Sequence, residues 1–307
     1  MKVLASDGIA ATALARLRQA GLEVGEISGV QGDALVQALR GSSGLIVRGA
    51  TKVTAAVIEA SPDLRVVVRA GSGTDNIDGA AAKAHGIRVL NTPMANAVSV
   101  AELVWGMILA HRRRLVEAAL STRAGRWEKS KFLGYEVAGT TLGLVGFGRI
   151  AREVARRGRA FAMTIVAHDP LLERWPADFA DVEKAELAQV LERADVLSLH
   201  VPLASETRHL IDTRGLARMK TNALLVNCAR GGVVDEDALL AALEAGRLGG
   251  ACLDVFAEEP PRNAALVGHP LVLPTPHIGA STREAQERAG DEAASLMIET
   301  LRELAVK

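Results

Sequence analysis

Three short stretches in the second half of the chain carry side chains that could transfer a proton beside a bound anion. They contain Arg230, Glu259 and His277, and each stretch follows an apolar run typical of a buried strand. Histidine is the usual acid or base near neutral pH, arginine can hold a carboxylate through two hydrogen bonds, and a carboxylate behind the histidine fixes its tautomer. Spacing alone does not show that the three groups converge, and a surface or capping role explains any of the seven histidines equally well.

The stretch from Thr141 to Asp169 predicts a dinucleotide-binding unit. An apolar run, Leu142 to Val145, leads into the turn GFGRIA, which is followed by a helical pattern, a second apolar run and Asp169. Strand, glycine turn, helix, strand and acidic residue together make the full fingerprint rather than an isolated glycine motif. The alternative is a glycine-rich turn of an α/β protein that binds no nucleotide.

Each part of this fingerprint has a physical role in the prediction. Gly146 permits the tight turn, and Gly148 lets the backbone approach a pyrophosphate that the following helix faces with its free N–H groups. Asp169 would accept hydrogen bonds from the ribose hydroxyls and repel a 2′-phosphate. The predicted cofactor is therefore NAD rather than NADP.

Composition excludes several other functions. Lys+Arg and Asp+Glu are both 36, and aromatic residues are 3%, so nucleic acid and anionic membrane are not expected partners. Cys228 and Cys252 offer neither a disulfide framework nor a metal site, and are expected to be buried. Without a leader-like start or a membrane-length apolar run, the protein is expected to be cytoplasmic.

Short apolar runs alternate with helical patterns over the first ninety residues and again after the fingerprint, which predicts parallel α/β sheets. Val98–Leu120 is predicted to be one long helix, and Thr282–Leu304 another. Arg48 and the Gly71–Gly73 turn follow predicted strands of the first part, where ligands bind in open α/β sheets. Taken alone, each is more often a simple turn.

The chain as a whole resembles the D-isomer-specific 2-hydroxyacid dehydrogenases. The matching motifs, in the order of that family, are GLIVRGATKVT, RAGSGTDNID, NTPMANAVSVAE, the fingerprint, NCARGGVVDE, DVFAEEPP and PHIGAST. The resemblance implies two Rossmann-like or flavodoxin-like parallel-sheet α/β domains with the active site in the cleft between them. Residues 1–97 plus 283–307 would bind the substrate, and residues 98–282 would bind NAD. It also implies a homodimer formed through the nucleotide domain.

The resemblance assigns roles to individual residues. Arg230 would hold the substrate carboxylate and carbonyl, His277 would be the acid or base, and Glu259 would orient His277. The implied cofactor contacts are Ser72, Gly146, Gly148, Arg149, Ile150, Asp169, His200, Val201, Pro202, Thr207, Cys228, Ala229, Arg230, Asp254, His277, Gly279 and Ala280. The implied substrate contacts are Arg48, Ala70, Gly71, Ser72, Gly73, Asn96, Arg230 and His277, and no metal is implied.

The resemblance is strongest to the members that oxidise D-3-phosphoglycerate to 3-phosphohydroxypyruvate in serine biosynthesis. Arg48 and the Lys129/Lys131 segment favour a phosphorylated acid, although these lysines are equally explained as surface residues. The alternatives are a glyoxylate or hydroxypyruvate reductase and, more remotely, an NAD-sensing scaffold of the corepressor type. The family pattern differs at Ala151, Ala95 and Val201, and no C-terminal regulatory extension is expected after Lys307.

Overall fold

The computed structural model describes residues 1–305 and consists of two compact units. The first unit comprises Met1–Ser99 and the segment from Ala280 onward, and the second comprises Val100–Gly279. Each unit is built on its own parallel sheet, so the predicted fold class is confirmed. No helix within residues 1–305 is both long and apolar enough to cross a membrane.

The first unit has a five-stranded parallel sheet in the order β2-β1-β3-β4-β5. Its strands are β1 (Lys2–Ser6), β2 (Glu23–Ile27), β3 (Ser42–Val47), β4 (Val66–Arg69) and β5 (Arg88–Asn91), and the helices between them are α1 (Ala11–Gln19), α2 (Gly32–Leu39), α3 (Ala55–Glu59) and α4 (Gly79–Ala84). β3 and β4 are buried on both faces, as expected for central parallel strands.

The predicted single helix over Val98–Leu120 is wrong, because the chain forms two helices there. These are α5 (Ala97–Arg112) and α6 (Leu115–Arg123), and Arg114 between them has a left-handed backbone with φ 52°. Tertiary contacts end α5: the Tyr135 N–H donates to the Arg112 carbonyl at 2.8 Å, and the Arg112 side chain donates to the Asp195 carbonyl. The spacing of apolar residues in the sequence does not indicate this break.

The second unit has a seven-stranded parallel sheet in the order β12-β11-β10-β9-β6-β7-β8. Its strands are β6 (Thr141–Val145), β7 (Thr164–His168), β8 (Glu183–Lys184), β9 (Val196–Leu199), β10 (Leu224–Asn227), β11 (Gly250–Leu253) and β12 (Val272–Pro274). The helices after α6 are α7 (Arg149–Ala160), α8 (Leu187–Arg193), α9 (Thr213–Arg218), α10 (Glu236–Glu244) and α11 (Ala264–Val267). Two-residue β8 was not expected from the sequence.

Side chains alternate between two apolar clusters on either face of this second sheet. Along β10, Leu224 and Val226 point into one cluster and Leu225 into the other. The sheet reverses its strand order at β6, which lies between β9 and β7. In open α/β sheets, ligands bind outside the carboxyl ends of the strands at such a point.

The last helix, α12 (Arg283–Ala305), packs within the first unit. Gly290 allows close contact with α1, since a Cβ there would lie 3.2 Å from the Cβ atoms of Ala10 and Ala13. Met297 is fully buried beneath β3, where its sulfur fills the space left open by Gly44. The predicted assignment of substrate and NAD to separate domains stays a prediction.

Candidate active site

The ends of three neighbouring strands bring the candidate catalytic residues to one edge of the second sheet. Arg230 follows β10 by three residues, Glu259 follows β11 by six residues, and His277 follows β12 by three residues. Because β10, β11 and β12 are adjacent and parallel, their carboxyl ends face the same side. Sequence spacing could not establish this convergence.

His277 and Glu259 form a close pair. Nδ1 of His277 lies 2.7 Å from Oε2 of Glu259, and Oε1 of Glu259 accepts a hydrogen bond from the Phe256 N–H at 3.3 Å. The His277 side chain is 47% exposed, so its other ring nitrogen, Nε2, is accessible to a ligand. The carboxylate therefore fixes the tautomer and orientation of the imidazole, as an acid–base pair requires.

The pKa values of this pair are shifted in opposite directions. The hydrogen bond that the His277 ring donates to Glu259 raises the pKa of His277 above its ordinary value, against an opposing effect of burial. Burial would raise the pKa of Glu259, but the hydrogen bond and charge of His277 outweigh it and leave that pKa below the ordinary value. The protonated imidazole is thus stabilised beside an ionised carboxylate.

The loop carrying His277 has a strained backbone that a buried carboxylate holds in place. His277 has φ 53°, a left-handed conformation that costs a non-glycine residue roughly 1–3 kcal/mol. Asp254, only 1% exposed, accepts hydrogen bonds from the Thr275 hydroxyl at 2.6 Å and from the Ile278 and Gly279 N–H groups, each at 2.8 Å. Asp254 is predicted from the sequence as a cofactor contact, and this anchoring role is not part of that prediction.

Arg230 lies on a loop that two neighbours fix. The Asn227 side chain donates to the Arg230 carbonyl at 2.9 Å and accepts from the Ala229 N–H at 3.0 Å. A Cβ on Gly231 would lie 1.8 Å from the carbonyl carbon of Phe256, so only glycine permits this backbone contact. The contact joins the Arg230 loop to the loop that carries Glu259.

Glu236, at the start of α10, holds the Glu259 loop from the other side. Its Oε1 accepts a hydrogen bond from the Ala257 N–H at 2.6 Å. Burial raises the pKa of Glu236 above its ordinary value. Asn227, Gly231, Glu236 and Thr275 were not among the predicted site residues, although all except Thr275 lie within the motif NCARGGVVDE.

The glycine turn of the fingerprint has the geometry that a pyrophosphate needs. Gly146 has φ +84°, and a Cβ there would lie 2.7 Å from the His200 carbonyl oxygen. Gly148, just before α7, borders open space, so the N-terminal N–H groups of that helix can be approached. Arg149 and Ile150 form the first turn of α7, and Ala151 is fully buried in the core.

Asp169 follows β7 and is bonded to this turn. Its Oδ2 accepts from the Phe147 N–H at 2.8 Å, and its Oδ1 accepts from the Leu171 N–H at 3.0 Å. A carboxylate has about four acceptor positions. Two positions therefore remain, which matches the two hydroxyl groups of a ribose.

The remaining predicted cofactor residues of the second unit lie around the same strand ends. Burial lowers the pKa of His200 to about 3, so this imidazole is neutral, and its Nε2 lies 3.0 Å from Ser198 Oγ. The Thr207 hydroxyl closes the loop after Val201 by donating to the Pro202 carbonyl at 2.6 Å. Cys228 is buried, which raises its thiol pKa, so it is not a nucleophile at neutral pH.

In the first unit, Arg48 lies on a loop that Asp7 and Asn76 fix. Asp7 accepts from the N–H groups of Arg48 and Thr51 at 2.9 and 3.0 Å, and Asn76 donates to the Arg48 carbonyl at 2.9 Å. Burial would raise the pKa of Asp7, but these hydrogen bonds lower it. Within residues 1–305, no ion pair or hydrogen bond engages the Arg48 guanidinium.

The predicted loop from Ala70 to Gly73 follows β4. Gly71 has φ +147°, a backbone conformation that favours glycine. The Ser72 hydroxyl donates a hydrogen bond to Oδ1 of Asn96 at 2.7 Å, which brings two predicted substrate contacts together.

Lys131, which was expected to favour a phosphorylated acid, forms an ion pair with Glu128 at 2.6 Å. No group of three or more side chains among the described residues could hold a metal ion.

Comparison with known proteins gives one family. A model described as D-isomer specific 2-hydroxyacid dehydrogenase, NAD binding domain, matches residues 105–279. D-3-phosphoglycerate dehydrogenase of Homo sapiens is 44% identical over 301 residues, which are 98% of this chain and 56% of that protein. The chain thus spans little more than half the length of that relative.

Two further relatives are similar over most of their length. Hydroxypyruvate reductase of Thermotoga maritima is 49% identical over 251 residues, which are 81% of this chain and 81% of that protein. The crystal structure of the TT0316 protein from Thermus thermophilus matches with a TM-score of 0.88 and 38% identity, and covers 98% of this chain and 97% of that one.

The His277–Glu259 pair makes a prediction that needs no substrate. Replacing Glu259 by Gln should lower the pKa of the His277 imidazole, because the anionic acceptor that stabilises the protonated ring is lost. The measurement is an NMR titration of the histidine ring resonances. Glu258→Gln is the matched control, since Glu258 pairs with Arg262 at the surface and should leave His277 unchanged. An unchanged His277 titration in Glu259→Gln would contradict the coupling.

Proposed function

The chain belongs to the D-isomer specific 2-hydroxyacid dehydrogenase family, and we propose that it catalyses the NAD-dependent oxidation of D-3-phosphoglycerate to 3-phosphohydroxypyruvate. The observation that carries this proposal is the 2.7 Å hydrogen bond between His277 and Glu259, which joins the loops after β12 and β11; the next strand of the sheet, β10, leads to Arg230. Base, orienting carboxylate and anion-binding cation are the groups that oxidation of a 2-hydroxy acid requires.

The second unit is suited to NAD. The free space at Gly148 and the N-terminus of α7 suit the pyrophosphate, and the two remaining acceptor positions of Asp169 suit the adenosine ribose. A negative charge at Asp169 disfavours the 2′-phosphate of NADP. The loops after β9, β10, β11 and β12 supply the other predicted contacts of this unit, which we propose as the nicotinamide side of the site.

Bound NAD supplies the hydride acceptor for C2 of the substrate. His277 accepts the proton of the C2 hydroxyl at Nε2, because its Nδ1 is committed to Glu259. Glu259 remains ionised and offsets the positive charge that the imidazole gains. Arg230 holds the substrate carboxylate and so keeps the hydroxyl next to His277. In the reverse direction, protonated His277 returns the proton to the carbonyl oxygen.

Arg48 is the proposed contact for the phosphate of the substrate. Its backbone is fixed by Asp7 and Asn76, and its guanidinium has no partner within residues 1–305. The relatives that are 43–44% identical over 98% of the chain carry the name D-3-phosphoglycerate dehydrogenase, which supports the phosphorylated acid. The loop Ala70–Gly73 and Asn96 are proposed as the remaining substrate contacts of the first unit.

A second candidate is the same chemistry on an unphosphorylated acid, as in a hydroxypyruvate or glyoxylate reductase. The specific observation in its favour is the 49% identity to hydroxypyruvate reductase of Thermotoga maritima. Lys131 also contributes less to a phosphate site than the sequence suggested, because Glu128 neutralises it. Arg48 is therefore the residue that distinguishes the two candidates.

The substrate is tested by NADH absorbance with 3-phosphoglycerate, 3-phosphohydroxypyruvate, hydroxypyruvate and glyoxylate. We expect the phosphorylated pair to have the highest kcat/KM, and Arg48→Ala to raise its KM about 10- to 100-fold, since a charge-assisted hydrogen bond is worth roughly 1.5–3 kcal/mol. Hydroxypyruvate should be affected much less. Arg40→Ala, an exposed arginine after α2, is the control and should change neither KM.

Two results would contradict the substrate assignment. A higher kcat/KM for hydroxypyruvate than for 3-phosphohydroxypyruvate would replace the substrate but keep the reaction class. Turnover of none of these acids, together with tight NAD binding, would instead favour an NAD-sensing scaffold.

We also propose that the protein is a homodimer formed by the second unit. Among the described residues, six of the twelve exposed large hydrophobic side chains lie between positions 115 and 135, which we call the 115–135 surface: Leu115, Val116, Leu120, Trp127, Leu133 and Tyr135. This 115–135 surface includes a groove of about 1030 Å³. Exposed apolar patches of this kind mark protein–protein contacts, and a second copy is the occupant proposed here.

The dimer is tested by light scattering coupled to gel filtration. We expect a mass of two chains of 32.3 kDa each, and a shift toward one chain in Leu133→Asp, because Leu133 is 85% exposed in the single chain. Leu171→Asp is the matched control, since Leu171 is 89% exposed but lies outside the 115–135 surface. A wild-type mass of one chain would contradict the proposal.

A further inference from the structure

The fingerprint turn contains an aromatic side chain that cofactor binding does not itself require. Phe147, between the two glycines, is fully buried. Its ring stacks on Trp175, with centroids 4.6 Å apart and planes inclined by 9°, and it meets the edge of Phe179 at 5.2 Å. Such aromatic contacts are worth about 0.5–1.5 kcal/mol beyond the burial of area.

The backbone of Phe147 holds the carboxylate that faces the ribose. The Phe147 N–H donates to Oδ2 of Asp169 at 2.8 Å, and the Phe147 carbonyl accepts from Nε of Arg152 at 3.1 Å. The direction of that N–H depends on where the ring is held. Ring packing and carboxylate orientation are therefore coupled through one residue.

Trp175 lies on the irregular segment between Asp169 and the short 3₁₀ turn at Ala177–Phe179. Asp169 Oδ1 bonds the Leu171 N–H at the start of this segment, and Lys184 donates to the Leu172 carbonyl at 3.0 Å. Lys184 Nζ also lies 5.9 Å from the centroid of the Trp175 ring. The stack thus ties the far end of the segment back to the glycine turn.

We infer that Trp175, stacked on Phe147, is a positioning residue that fixes the Asp169 carboxylate and thereby sets the preference for NAD over NADP. This inference rests on the proposed ribose contact of Asp169. Two acceptor positions of the carboxylate are used by Phe147 and Leu171, and the stack keeps the other two aimed at one place. Loss of the Trp175 ring removes one of the two aromatic contacts of Phe147, so that its backbone N–H can shift and the carboxylate loses its fixed orientation.

The chain offers a matched control at the same position. Nε1 of Trp175 is buried and has no hydrogen-bond partner within the described residues. Trp175→Phe therefore keeps an aromatic ring on Phe147 and breaks no hydrogen bond, whereas Trp175→Ala removes the stack. Any difference between the two variants is therefore due to the loss of the ring stacked on Phe147.

The experiment measures the dissociation constants of NADH and NADPH from the fluorescence of the reduced nicotinamide, together with KM and kcat for NAD. Trp175→Ala should lower the NAD-over-NADP preference about tenfold by weakening NADH binding and raising KM for NAD, with kcat at saturating NAD within about twofold of wild type. Trp175→Phe should stay within about twofold of wild type in every constant. In the Asp169→Ala background, Trp175→Ala should change the preference no further.

Failure of the inference about Trp175 can be distinguished from failure of the proposed ribose contact of Asp169. A folded Trp175→Ala that keeps the wild-type preference, while Asp169→Ala loses it, overturns the inference alone. Equal weakening of NADH and NADPH in Trp175→Ala also overturns it, because that result reports a general loss of structure. An unchanged preference in Asp169→Ala overturns the ribose contact itself. If Trp175→Ala does not fold, Trp175→Leu and Phe147→Leu carry the same test, since each keeps apolar volume and removes the stack.

Discussion

Three loops of the candidate site are each held by an aspartate at a strand end, which accepts hydrogen bonds from their backbone N–H groups. Asp7, Asp169 and Asp254 each follow a parallel strand directly: β1, β7 and β11. Each accepts two backbone N–H groups at 2.8–3.0 Å, at least one of them from the loop after the neighbouring strand: β3, β6 and β12 respectively. A half-buried carboxylate needs such donors, and the loop N–H groups at a sheet end need acceptors.

This arrangement explains how irregular loops can carry precise chemistry. The loop with His277 adopts a left-handed backbone at the histidine, and Asp254 supplies the hydrogen bonds that offset the strain. Gly231 then joins the Arg230 loop to the Glu259 loop through backbone contact. His277, Glu259 and Arg230 are thus all held on loops of one sheet.

Much of the fold and the candidate site could be predicted from the sequence. Apolar runs located the strands because central parallel strands are buried on both faces, and the fingerprint combined five features that rarely coincide. The break between α5 and α6 could not be predicted, since it depends on Tyr135, Gly134 and Asp195, which are distant in sequence. The anchoring role of Asp254 was missed for the same reason.

Residue type alone also does not show whether a side chain is placed to contact a ligand or only holds a loop in position. Asp254 and Asp169 have the same side chain at equivalent strand ends, but Asp254 is 1% exposed and bonded to its loop on both oxygens, whereas Asp169 is only partly buried. Burial and the number of hydrogen bonds, three to Asp254 and two to Asp169, distinguish the two carboxylates. Trp175 is a similar case, because nothing in its sequence position indicates that it packs on the glycine turn.

The central claim is that His277, oriented by Glu259, is the base for oxidation of the hydroxy acid. The most direct measurement is the pH dependence of kcat/KM for oxidation of 3-phosphoglycerate, set beside the NMR titration of His277 in the same protein. The rate should fall as the pH drops through the pKa of His277, which Glu259 raises, because the protonated ring cannot accept the hydroxyl proton. A kcat/KM that stays constant through that pKa would contradict the account.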